Sequence, residues 1–201
     1  MFKTLAELND KLRETDTPPS DGFSEQIVPG EGAAHARIML VGEQPGEEED
    51  RLGRPFVGPA GQVLDDALRL AGLDRAQCYV TNAVKRFKFT LRGKRRLHAT
   101  PSSGNIVHYR WWLTEEIRLV GPKLVVALGG SAVHALTGTK QPINRLRGEA
   151  RDMADGRSLL VTVHPSYLLR LPDEQGRRAE RQRFVRDLEL AASLAAMPQA
   201  G

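Results

Sequence analysis

Four short apolar segments, each leading into a turn and then a helical pattern, constrain this chain more than any other feature. Residues 36–41, 78–81, 123–128 and 159–163 have strand length and are rich in Val, Leu and Ile. Between them, Val63, Leu64, Ala67, Leu68, Leu70 and Ala71 repeat with helical spacing, and 106–120 and 131–136 also read as helices. A final amphipathic helix runs over about 174–195. Strands alternating with helices need parallel crossovers. The expected fold is therefore an α/β three-layer sandwich with a central, mainly parallel four-stranded sheet flanked by helices. One domain is expected over 1–201, with an N-terminal helix and extended segment over 1–30 and a basic loop over 85–104.

Composition narrows the chemistry. A single cysteine, Cys78, allows no internal disulfide and is too few for a thiolate-bound metal or cluster. No apolar run approaches the length needed to span a bilayer, and the first residues space Phe2, Leu5, Leu8 and Leu12 helically among acids, which predicts a cytoplasmic protein. The net charge of +4 permits a polyanionic partner without requiring one. Its distribution says more: Lys85, Arg86, Lys88, Arg92, Lys94, Arg95 and Arg96 follow one another with no acid among them.

In open parallel sheets, ligands bind beyond the carboxyl ends of the strands. Three loops should meet there: 42–46 (Gly-Glu-Gln-Pro-Gly), 81–85 (Thr-Asn-Ala-Val-Lys) and 164–166 (His-Pro-Ser). They match neither the dinucleotide fingerprint nor the phosphate-binding loop of nucleotide hydrolases. Phe56, within the Gly- and Pro-rich run 53–61, could stack on a base or simply fill a tight loop. Asn82 carries an amide able to read a pyrimidine's imide edge, although asparagine at a strand end is also a common turn cap. His164 could donate to a developing anion or be a satisfied structural histidine. Together these groups suit a base taken out of its helix, with the basic segment on phosphates.

These segments resemble the motifs of the uracil-DNA glycosylase superfamily, over nearly the whole chain. Within it, Gln44 and the segment 94–98 (Lys-Arg-Arg-Leu-His) are most similar to the UdgX type, related to the family-four enzymes. The resemblance implies uracil-containing DNA as partner, single-stranded or with a flipped base, and His98 as a nucleophile that ends covalently attached to the abasic sugar. It implies that His164, Asn82 and Gly42 surround the uracil and that Phe56 stacks on it. Glu43 would favour the cationic sugar or take the proton of His98, and Glu47 would exclude thymine's methyl group. Gln44, an amide where many relatives carry an acid, is a poor general base and should slow hydrolysis in favour of capture. Lys85, Lys94, Arg95, Arg96, Ser166 and Arg170 would contact DNA, Arg96 also positioning the loop. Near them, Leu168 and Leu169 could fill the space a flipped base leaves, or be core. Turnover hydrolysis, or binding of uracil-containing or single-stranded DNA without catalysis, are the alternative outcomes.

The chain departs from this resemblance at one place. The positions corresponding to the ligands of the family's four-iron, four-sulfur cluster are Thr15, Pro18, Arg86 and Tyr109, and nearby Cys78, Asp16 and His108 do not restore the set. No cofactor is expected. Stiffening by Pro18 and Pro19, packing of Tyr109 and pairing of Arg86 with an acid would have to hold the segment instead.

Overall fold

The computed structural model describes residues 1–153 and 155–197. In chain order the elements are α1 (Leu5–Thr15), β1 (Glu31–Gly32), β2 (Ile38–Gly42), α2 (Glu47–Leu52), α3 (Pro59–Leu70), β3 (Tyr79–Asn82), β4 (Phe89–Arg92) and β5 (Arg95–His98). There follow α4 (Ser103–Val120), β6 (Leu124–Leu128), α5 (Gly130–Thr137), β7 (Ala150–Asp152), β8 (Ser158–Thr162), α6 (Pro165–Arg170) and α7 (Glu174–Ala196). No described helix is long and apolar enough to cross a membrane.

The main sheet has six strands, in the order β1-β3-β2-β6-β8-β7, rather than four. The four expected strands form its parallel centre, and the additions are antiparallel edge strands. At two and three residues these edges are too short to show a period. The two innermost strands, β2 and β6, are apolar throughout because both faces are covered. In β2, Met39 and Val41 pack toward one layer, with residues of α4 and α5, while Ile38 and Leu40 pack toward the other, with α3 and α7. Local chemistry starts and stops the helices: Ser102 and Asn105 cap the start of α4 reciprocally, Pro59 opens α3, and Asp173 caps α7.

The basic segment is not a loop. Strands β4 and β5 form a separate antiparallel hairpin whose tip, Gly93-Lys94, has Gly93 at φ 61°. This puts His98 at the hairpin's base, opposite Phe89.

Candidate active site

Chain connection reverses beside β2: β3 lies on one side of it, and the chain then crosses back to β6 on the other. Beyond the carboxyl ends of these strands lies a cleft of about 680 Å³. Glu43, Phe56, Asn82, His98 and His164 all line it. The three loops and the hairpin therefore do converge.

Phe56 is held from several sides. Its φ of 53° is unusual for a bulky side chain, and Arg75 donates to the Pro55 and Phe56 carbonyls at 2.9 and 3.1 Å. A Cβ on Gly61 would come within 1.9 Å of the Phe56 carbonyl oxygen, and one on Gly42 within 2.5 Å of the Phe56 ring and 2.4 Å of Asn82 Oδ1. Gly42 thus leaves room for the shelf and the amide beside it. The Phe56 ring centroid lies 5.7 Å from that of His164.

His164 is fixed in one tautomer. The Ser166 backbone N–H donates to Nδ1 at 3.2 Å, so the proton of the neutral ring sits on Nε2. Burial, then the charges of Arg170 and His98, lower its pKa to about 4. Nε2 is buried without a partner among the described residues, and so is Asn82 Oδ1. A donor and an acceptor are left unsatisfied beside one aromatic ring, which a ligand offering an acceptor and a donor would complete.

Glu43 divides its carboxylate. Ser131 Oγ, at the start of α5, donates to Oε2 at 2.5 Å, and Oε1 lies 3.6 Å from His98 Nε2. Half of the His98 side chain is exposed.

The Gln44 amide is taken up by the hairpin. Its Nε2 donates to the Lys88 and Ala99 carbonyls at 3.2 Å each, and its Oε1 accepts the Lys88 N–H at 3.3 Å. The amide thereby laces both sides of the hairpin's neck. Only an amide makes this set of bonds, because a carboxylate has no proton for the carbonyls.

One expected DNA contact is corrected, and other expected site residues gain partners within the chain. Lys85 does not face DNA: it is fully buried, with Nζ 2.5 Å from Glu116 Oε2 and bonded to Thr81 Oγ1 and the Asn82 carbonyl. Burial pushes its pKa down against the pull of Glu116. Lys85 braces the end of β3, and with Arg86 also buried the surface patch loses two of its cations. Arg96 pairs with Asp50 at 2.7 Å and Glu47 at 3.3 Å and covers the rings of Phe87 and Phe89, tying the hairpin to α2; the Asp50 bond raises its pKa. Glu47 accordingly serves Arg96 at the rim. Ser166 orients His164 and accepts from Arg170 at 3.1 Å. Leu168 is core, whereas Leu169 is exposed at the cleft's rim. Lys94 and Arg95 are exposed at the hairpin tip, with no acid paired to them among the described residues.

Three residues escaped the sequence reading: Glu116, Ser131 and Glu49. Glu49 accepts the Gly46 and Gly58 N–H groups at 3.0 and 2.8 Å and joins the two loops that carry Glu43 and Phe56. Nothing in the sequence marks them, since each acts through a partner that folding brings near.

Residues 29–189 match the family model of the uracil DNA glycosylase superfamily. The chain belongs to this superfamily. It is 39% identical over 187 residues to a Type-4 uracil-DNA glycosylase of Thermotoga maritima, covering 92% of each chain. A Type-4 uracil-DNA glycosylase of Pyrobaculum aerophilum is 31% identical over 193 residues, again covering 92% of each. A Type-5 uracil-DNA glycosylase of the same organism is 36% identical over 124 residues, 54% of this chain and 51% of the other.

The family-type cluster has no fitting donor set here. Thr15 and Pro18 flank Asp16 in sequence, and Arg86 and Tyr109 both bond to the Asp16 carboxylate, so the four positions do meet. They offer no thiolate, and Cys78 is buried in the other core layer.

Proposed function

We propose that this glycosylase superfamily member excises uracil from DNA and, as a UdgX-type protein, captures the abasic sugar on His98. The observation that carries the excision is the pair of unpartnered buried atoms, Asn82 Oδ1 and His164 Nε2, beside Phe56. Uracil's imide N–H and a carbonyl oxygen complete both, and the ring stacks on the phenyl. Thymine differs by one methyl group, and the rim near Glu47 is the candidate for rejecting it.

When the bond from C1′ to the uracil nitrogen breaks, its electron pair leaves with the base. His164 Nε2–H stabilises the resulting anion without giving up its proton, because a ring held neutral by burial donates a hydrogen bond at neutral pH. The sugar is left cationic and faces the Glu43 carboxylate. A nitrogen lone pair of His98 then forms the new bond to C1′, and the positive charge passes to the imidazole ring, which Glu43 neutralises by ion pairing or by accepting the ring proton. Gln44 supports capture as a clamp: it holds the hairpin neck and offers water no base. Lys94, Arg95 and Arg170 engage phosphates, with single strands or flipped bases as the substrate form.

Turnover hydrolysis is the second reading, favoured by the partly exposed Glu43 carboxylate, which could activate water. A denaturing gel of uracil-containing oligonucleotide incubated with the protein separates the outcomes. A heat-stable shifted band is expected. Alkali-cleavable free product in excess of protein would support turnover, and unchanged oligonucleotide would support a binder without catalysis.

A further inference from the structure

Away from the cleft, the Asp16 carboxylate binds three side chains. Asp16 ends α1, with its N–H on the Leu12 carbonyl at 3.0 Å, and its side chain is 1% exposed. Arg86 Nε donates to Oδ2 at 2.8 Å, Tyr109 Oη donates to Oδ2 at 3.0 Å, and His108 Nε2 meets Oδ1 at 2.7 Å. The rest of the Arg86 guanidinium donates to the carbonyls of Asp16, Ser24 and Glu25. One carboxylate and one guanidinium therefore join three pieces of chain: the end of α1, the strand exit leading to the hairpin, and α4.

The segment after Asp16 runs on along the hairpin's neck. Its backbone bonds are Val28 N–H to the Lys85 carbonyl at 2.8 Å, Ser24 N–H to Phe87 at 2.9 Å and Phe89 N–H to Gly22 at 2.7 Å. The last two of these bonds bridge Phe23 to Lys88, whose other side is clamped by Gln44. The strap and Gln44 thus grip the same neck, and His98 lies just beyond it.

We propose that this chain carries no iron–sulfur cluster and that the Asp16–Arg86–His108–Tyr109 staple instead fixes the strap under the hairpin, making Asp16 and Arg86 positioning residues for His98. The donors at these positions favour the staple: a guanidinium and a phenol bind a carboxylate, and neither is a ligand for iron in a sulfide cluster. The staple also fills the space between the three segments with a buried, fully hydrogen-bonded pair. In water-excluded surroundings such a pair holds geometry that an exposed one would not.

The inference rests on the reading of His98 as the capturing group, so its test has a part that does not. Iron and acid-labile sulfide are measured in the full-length purified protein, and both are expected to be absent. Hydrogen exchange of residues 89–98 is compared among wild type, Asp16→Asn and the double variant His108→Ala/Tyr109→Phe, all below their unfolding temperatures. Exchange is expected to quicken in both variants, most in Asp16→Asn; should that variant not fold, the double variant, which keeps the ion pair, still reports. On uracil-containing DNA, uracil release is expected to stay near the wild-type rate while the share of releases ending as adduct falls roughly tenfold or more, as misplacement of a reacting group predicts. General destabilisation would lower both together. Stoichiometric iron and sulfide, or unchanged hairpin exchange in both variants, overturns the staple. If the wild type forms no adduct while exchange still quickens, the reading of His98 fails and the staple stands.

Discussion

Glu43 Oε1 stands 3.6 Å from His98 Nε2, while Oε2 of the same carboxylate is held at 2.5 Å by Ser131. The residue thus has one oxygen spent on orientation and one facing His98, the proposed nucleophile. Glu43→Gln keeps the shape and removes the charge. Its single-turnover uracil release is expected to fall about 100-fold, the scale of a lost charge or proton acceptor at a reacting centre. Ser131→Ala removes only the orienting bond, worth about 1 kcal/mol, so a drop of up to about tenfold is expected. Equal rates for wild type and Glu43→Gln would remove Glu43 from the chemistry.

His164 should be a histidine that does not charge in the ordinary range. Burial, with Arg170 and His98 nearby, holds it at about 4 instead of 6.5. Between those values the unfolded chain takes up a proton that the native chain refuses. Stability is then fully present above about pH 6.5 and is lost as pH falls toward 4, by roughly 1.4 kcal/mol per unit. A ring-proton titration by nuclear magnetic resonance should give a His164 midpoint near 4. A midpoint near 6.5 would mean the ring is hydrated, and the donor aimed at the base would be lost with it.

Gln44→Glu tests whether the amide acts as a clamp. The carboxylate cannot donate to the Lys88 and Ala99 carbonyls and faces them with like polarity. A loss of about 1–3 kcal/mol in urea unfolding is expected, the cost of buried groups left unpaired. The adduct's share of product should fall in favour of free abasic DNA. An unaltered share would show that hairpin placement does not depend on position 44.

Cations that look alike in sequence should behave oppositely. Lys85→Met leaves Glu116 buried without its partner and should destabilise the fold by about 3–5 kcal/mol, with no change in the salt dependence of DNA binding. Lys94→Ala and Arg95→Ala, at the exposed hairpin tip, should leave stability within about 0.5 kcal/mol and each reduce the salt slope by about one. A reduced slope in a folded Lys85→Met protein would contradict the burial described above.

Why these cations differ also marks the limit of sequence reading. The parallel centre of the sheet was legible because strands covered on both faces are apolar, as 38–41 and 124–128 are. Edge strands β1 and β7 left no pattern, being too short. The hairpin's strands were hidden by their charge, although Gly93-Lys94 between two four-residue runs is the signature of a two-residue turn. Asn82 and His164 were legible because their motifs sit at strand ends, and Phe56 because glycine and proline mark the run 53–61 that holds it. Pairing of Arg86 with an acid was expected, and the acid is Asp16, 70 residues away. Glu116, Ser131 and Glu49 were not legible, because a group whose role is to hold a distant partner carries no local period or motif.

The most direct measurement is the intact mass of the protein after incubation with a short uracil-containing single strand, run beside His98→Ala. The wild type should gain the mass of the oligonucleotide less uracil, and His98→Ala should release uracil without that gain. Uracil released in excess of a wild-type protein whose mass is unchanged would contradict capture by His98 and make the protein a turnover enzyme.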